Sequence, residues 1–162
     1  MKVQVLCAVL TLAVVATAQE AKKVQVTKTL SSGWGDSINW VQTYEEGLKK
    51  SMTDRKPLMV IFWLEECPYS TALRATFAQD KDLQQLAQND FVMLNLQTET
   101  TDKNMAPDGY YYPRIMFVDP GRKVRADVTG RYSNHLYAYQ AGDETVLLDS
   151  MKRVLKLAKD EL

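Results

Sequence analysis

Cysteine is scarce in this 162-residue chain, which holds only Cys7 and Cys67. Two thiols exclude a multi-disulfide scaffold and a four-thiolate zinc site. Histidine is scarcer still: His135 stands alone, without the companions a metal centre needs. No metal and no cofactor are therefore expected, and His135 reads as a surface or packing residue. Seven Gly and five Pro exclude collagenous or Pro-rich low-complexity character. Neither sign of charge is in excess, with 20 basic and 20 acidic side chains, which argues against a nucleic-acid partner. No apolar run reaches the ~20 residues of a bilayer span. What remains is 46% apolar and 25% charged residues, the composition of one soluble globular domain. A chain this long buries a core without disulfide stapling.

Both ends carry addresses. Lys2 is followed by an apolar run from Val5 to Ala16, interrupted only by Thr11, and then by the small-residue site Ala16-Thr17-Ala18. Residues 1–18 read as a secretory signal peptide. Its removal takes Cys7 with it. Cys67 is left as an unpaired thiol in an oxidising pathway, which implies an intermolecular partner or a reactive thiol. Lys159-Asp160-Glu161-Leu162 matches the K-D-E-L signal read by the retrieval receptor of the endoplasmic reticulum. The expected location is that lumen, with secretion when retrieval is escaped. No Asn-x-Ser/Thr sequon occurs, so N-glycosylation is not expected.

Residues 19–32 are polar and read as a flexible arm. One domain is expected over 33–158. A helix is expected from Asp36 or Ser37, its apolar face made of Ile38, Val41, Tyr44, Leu48 and Met52. Leu58 to Leu64 is a continuous apolar run of strand length, suited to a strand covered on both faces. A helix carrying Tyr69, Leu73 and Phe77 comes next, then one capped by Asp80 with Leu83, Leu86 and Ala87. Phe91 to Leu96 is a second buried strand. Gln97 to Tyr112 is a long polar loop, of a length that usually serves function. Ile115 to Val118 is a third strand, turned by Asp119-Pro120-Gly121 into a hairpin partner at Lys123 to Val128. A last helix starts at Gly142-Asp143, its outer face basic through Lys152, Arg153, Lys156 and Lys159. The fold class is α/β, with a central mixed sheet flanked by helices.

Cys67-Pro68-Tyr69-Ser70 sits where a buried strand meets a helix. Cys67 then takes the N-cap and Pro68 the first helical position, where its missing N–H costs nothing. The positive end of the helix favours a thiolate. Glu65 and Glu66 oppose it. A reactive, half-exposed thiol and an inert buried one both fit this pattern.

A strand, Cys67-Pro68-Tyr69-Ser70, a helix, and Tyr112-Pro113 before a later strand resemble a thioredoxin-like fold. More closely, the chain resembles the anterior gradient proteins, a branch of the protein disulfide isomerase family. Gly33-Trp34-Gly35-Asp36, Gln42-Thr43-Tyr44-Glu45-Glu46, Lys56-Pro57-Leu58-Met59 and Glu66-Cys67-Pro68 carry the match. Glu99 to Lys103, Pro107-Asp108-Gly109, Pro113 to Pro120, Val124 to Asp127, Thr129 to Asn134 and Leu136 to Tyr139 continue it. The resemblance implies a single active-site thiol, a loop proline facing it, and secretory clients held by mixed disulfide. In some members it implies secreted growth and regeneration signalling through a lipid-anchored surface receptor. It also places a self-association segment, and so a homodimer, on Glu46, Gly47, Leu48, Lys49 and Lys50. Gly47 stands there where Ala is usual, and Lys49 where an aromatic is usual.

Relative to a C-x-x-C motif, Ser70 replaces the second thiol. Such a chain can attack and hold a client but cannot release it by its own second sulfur. In that fold an acid under the motif moves protons for the second thiol; the matching residue here is Ile61. Tyr110, Tyr111 and Tyr112 would lie beside Cys67, as a substrate-binding rim or as packing for the loop. Trp63 is expected beneath the site, and Arg131 is expected to pair with an acid. Three functions compete: a monothiol folding factor, a secreted signalling ligand with the fold as scaffold, and a non-covalent chaperone using the Tyr loop.

Overall fold

A computed structural model describes residues 30–161. The signal-peptide segment and most of the 19–32 arm lie outside these residues, as does Leu162.

From Tyr44 onward, five helices and strands precede the long loop and two come after it. Helix α1 spans Tyr44–Asp54, strand β1 Leu58–Phe62, α2 Pro68–Gln79, α3 Lys81–Asp90 and β2 Val92–Leu96. After the loop come β3, Arg114–Val118, and α4, Glu144–Asp160. The sheet order is β2-β1-β3. β1 runs parallel to β2, with Leu58 opposite Val92 and Phe62 opposite Leu96. It runs antiparallel to β3, with Leu58 opposite Val118 and Phe62 opposite Arg114. The central strand is buried along its whole length, as its unbroken apolar sequence requires.

Strand alternation divides the core into two layers. Met59 and Ile61 face a cluster with Leu73 and Phe77 of α2, Leu83 of α3, and Leu147, Met151 and Val154 of α4. Leu58, Val60 and Phe62 face the other side, against Tyr44 of α1, Met105 and Tyr137. Helices thus cover both faces of a mixed sheet. Burying one such Leu or Phe contributes about 1.5–3 kcal/mol.

Four expectations are corrected. The helix expected from Asp36 or Ser37 starts at Tyr44. Thr43 caps it by accepting from the Glu46 N–H at 3.1 Å, while the Glu46 carboxylate accepts from the Gln42 N–H at 2.8 Å. Ile38 and Val41 are buried without being helical, because Trp40 bridges to Met93 as an extension of the sheet. Met52 is exposed rather than part of the apolar face. Second, Leu30, Ser31 and Ser32, expected in the flexible arm, are placed against the domain. Leu30 packs on the core, Ser31 is buried, and the Ser32 carbonyl accepts from Arg74 at 3.1 Å. Third, the hairpin partner at 123–128 is a single bridge, Val118 to Val124, made by the Asp119 N–H to the Lys123 carbonyl and the Arg125 N–H to the Phe117 carbonyl. The antiparallel pairing is β1 with β3. Fourth, the domain does not stop at 158, since α4 continues through Lys159 and Asp160.

Candidate functional site

The end of β1 and the start of α2 place Cys67. Its backbone is extended (φ −85°, ψ 115°) and it occupies the N-cap, with Pro68 at the first helical position. Its side chain makes no cap bond, which leaves the sulfur free to face the loop. Thr71 secures the turn, its hydroxyl donating to the Pro68 carbonyl at 3.0 Å and its N–H to the Cys67 carbonyl at 3.1 Å. Leu73 and Phe77 then anchor the helix in the core.

Cys67 is a free cysteine of intermediate exposure. Its Sγ lies 3.6 Å from the Tyr112 carbonyl oxygen. The Tyr112–Pro113 bond is cis, and Pro113 is buried. The loop and the motif, 45 residues apart in sequence, therefore meet at the thiol. Ser70 is fully buried, and its hydroxyl accepts from the Leu64 N–H at 3.3 Å. The side chain at the second-thiol position closes the strand-to-helix turn and presents no redox group.

The two acids before the thiol differ. Glu65 forms a two-pronged pair with Arg74, at 3.0 and 3.1 Å. That guanidinium holds the Glu65 carboxyl below its ordinary range. Arg74 also lies over the Trp63 ring, 4.8 Å from its centroid. Glu65 is thus committed to a cation, while Glu66 is exposed beside Cys67. Trp63 is buried beneath the site and donates to Asn95 at 3.1 Å. Ile61, at the position of the usual acid, is fully buried.

The three tyrosines separate. Tyr110 is 65% exposed and Tyr69 61%. Both are large exposed rings, Tyr69 two residues after Cys67 in the chain and Tyr110 two residues before Tyr112. Tyr111 packs the loop instead. Its hydroxyl donates to Asp108 at 2.9 Å and accepts from the Tyr137 N–H at 3.0 Å, and its ring lies 4.3 Å from that of His135. Burial first, with the Asp108 carboxylate adding to it, raises the Tyr111 phenol well above its ordinary value. The Tyr112 phenol is raised too, by burial and by Glu99. His135 therefore has a packing partner. Among the described residues no His, Cys, Asp and Glu come together as a metal site, and no helix is long and apolar enough to cross a membrane.

Other residues singled out in the sequence lie away from the thiol. Within the segment expected to self-associate, Glu46, Lys49 and Lys50 are exposed on α1, Leu48 is half-buried and Gly47 is buried. Lys50 pairs with Asp54 at 2.8 Å. Arg131 pairs with Asp143 at 2.8 Å. Lys152, Arg153, Lys156 and Lys159 are exposed along α4. Of the sequence expected to act in retrieval, Lys159 and Asp160 are helical and Glu161 pairs with the buried Arg125 at 2.7 Å.

Sequence reasoning missed Arg114. It is fully buried at the start of β3, with donors to the Met105 carbonyl (3.1 Å), the Tyr111 carbonyl (3.0 Å) and Glu99 (2.5 Å). A cation opening an otherwise apolar strand, Arg114-Ile115-Met116-Phe117-Val118, was the available signal, because a buried charge must be partnered.

Comparison with known proteins agrees with this geometry. The family profile described as Thioredoxin-like matches residues 39–120. Anterior gradient protein 3 of Mus musculus is 58% identical over 141 residues, covering 87% of this chain and 86% of that protein. Anterior gradient protein 2 homolog of Homo sapiens is 60% identical over 138 residues, covering 85% of this chain and 78% of that protein. Among solved structures, a DsbH oxidoreductase aligns with a TM-score of 0.48 at 17% identity, covering 71% of this chain and 85% of that one. With its thioredoxin-like sheet and this level of identity along most of its length, the chain belongs to the anterior gradient family.

Proposed function

We propose that this protein is a single-thiol folding factor of the secretory pathway, related in chemistry to protein disulfide isomerases. One observation carries the reading. Cys67 is half-exposed at a helix N-terminus, 3.6 Å from the Tyr112 carbonyl, while a buried serine stands where a second thiol would be.

The chemistry comes from that arrangement. Cys67 gives its proton to solvent, and its thiolate attacks one sulfur of a client disulfide. A bond forms between Cys67 Sγ and that sulfur. The client S–S bond breaks, and the other client sulfur leaves as a thiolate that takes up a proton. Ser70 has no sulfur with which to expel the client, so the mixed disulfide persists until a thiol from outside the motif attacks it. When that thiol is another cysteine of the client, a new client disulfide forms, Cys67 is freed, and the net change is isomerisation without redox. When it is a small thiol of the glutathione class, the client leaves carrying the small thiol. Tyr69 and Tyr110 form the rim that an unfolded client meets first.

The signal-peptide segment supports entry into the endoplasmic reticulum, and Lys159 to Leu162 support retrieval to it. Non-reducing electrophoresis of native complexes from cell lysate and medium tests the reading. Wild type should give client adducts in the lysate that reductant dissolves and that Cys67→Ala lacks. Equal adducts in Cys67→Ala would overturn it. Activity confined to the medium and indifferent to Cys67 would favour the secreted-ligand alternative.

A further inference from the structure

Arg114 is an expensive residue to bury. A guanidinium taken out of water costs several kcal/mol unless every donor is met, and an apolar side chain commonly serves packing alone as well or better. Arg114 is nevertheless fully buried, with its guanidinium carbon 4.2 Å from the Phe62 ring centroid at the end of β1. Its three polar partners share one feature: all lie on the loop between β2 and β3. Glu99 stands near the start of that loop, Met105 in the single helical turn at its middle, and Tyr111 at its end. The next residue is Tyr112, whose carbonyl meets Cys67.

We propose that Arg114 is a positioning residue for the Cys67 thiol, acting by tying three points of the 97–112 loop to the end of β1 so that the Tyr112 carbonyl stays on Sγ. The inference rests on the folding-factor reading and deepens it. The planar guanidinium fork is suited to three acceptors lying in different directions, whereas a lysine ammonium presents a single point charge. Tyr112 is held through the Arg114 bond to the preceding carbonyl. The loop edge that a client chain must approach is thereby fixed relative to the sulfur. Preorganisation of this kind matters for a bulky reactant that has to be aligned, and little for a small one that does not.

The test compares two rates on the mature chain. One is the capture of a synthetic peptide carrying a thionitrobenzoate disulfide, read by the released chromophore. The other is alkylation of Cys67 by iodoacetamide. In Arg114→Met, peptide capture should fall about tenfold while alkylation stays within about twofold. Arg114→Lys should recover less than half of that loss on a logarithmic scale. Glu99→Gln, which keeps the shape and an acceptor, should show the same one-sided change at about threefold. It carries the test if Arg114→Met does not fold by circular dichroism. A merely structural role would loosen the site and raise both rates together. Equal changes in both rates, or no change in folded variants, would overturn the proposal. Cys67→Ala run in parallel separates the two levels. Capture that survives it refutes the thiol reading, whereas capture that requires Cys67 with an unchanged rate ratio refutes only the role of Arg114.

Discussion

The Sγ of Cys67 and the carbonyl oxygen of Tyr112 lie 3.6 Å apart, joining a helix N-terminus to the residue before a cis proline. Ser70, one helical turn beyond Cys67, is buried and occupied with the Leu64 N–H. Replacing that hydroxyl by a thiol alters the fate of the mixed disulfide. In Ser70→Cys the second sulfur attacks the first at an effective concentration far above that of any external thiol. The mixed disulfide with a peptide should fall to roughly a tenth of the wild-type yield. Mass spectrometry after acid quenching reads this directly. Undiminished accumulation would show that position 70 does not reach Cys67.

Tyr69 and Tyr110 are large and exposed, 61% and 65% respectively. If they receive clients, Tyr69→Ser and Tyr110→Ser should each weaken capture by about fivefold, near 1 kcal/mol. Neither ring is part of the core, so folding stability should stay within about 0.5 kcal/mol of wild type. Peptide titration and urea unfolding on the same preparations check both halves.

Most of the architecture could be read from the sequence, and the failures have physical reasons. The apolar run at 58–64, the Asp80 cap and the Cys67-Pro68 helix start were legible because each depends on neighbours in sequence. Asp80 Oδ1 accepts from both the Asp82 and Leu83 N–H groups, as a capping residue should. The helix expected at Asp36 failed because Ile38, Val41 and Tyr44 share a helical spacing by coincidence. Trp40 is recruited by Met93 of β2, distant in sequence, and that pairing overrides the local pattern. Likewise, the division of labour among the tyrosines was invisible. Tyr111 is turned inward by Asp108 and Tyr137, neither of which announces itself as a partner. Arg114 was missed because its three acceptors, two of them backbone carbonyls, are defined only once the loop is folded.

Gly47 offers a stability test. It is buried in α1, and a β-carbon there would lie 2.9 and 3.0 Å from the Leu58 methyls and 3.4 Å from Val41. Alanine in a helix gains about 1 kcal/mol over glycine, but crowding a packed core costs about 1–3 kcal/mol. Gly47→Ala should therefore bring no stabilisation and should lower stability by ~1 kcal/mol. Urea midpoints decide it; a gain near the full helix-propensity value would show that the Leu58 side chain yields freely.

The buried phenols set an alkaline limit. Burial, helped by Asp143 and partly offset by the Ser150 hydrogen bond, leaves Tyr139 pushed up to about 12 from its ordinary 10.0. Tyr44, buried and hydrogen-bonded to Asp102, is raised as well. A phenol raised in the folded state contributes its full stability below pH 10. Above it the unfolded chain releases the proton and the folded chain does not, so stability falls by about 1.4 kcal/mol per pH unit per group. Urea midpoints should decline from pH 10 towards 12, less steeply in Tyr139→Phe. A flat profile over that interval would contradict the burial of these groups.

Most direct is the fate of a disulfide-bearing peptide mixed with the purified mature protein, with and without Cys67. The account expects a covalent 1:1 adduct that dithiothreitol dissolves and that is absent in Cys67→Ala, with both proteins equally folded. An adduct formed equally by Cys67→Ala, or none formed by the wild type while its thiol remains open to alkylation, would contradict it.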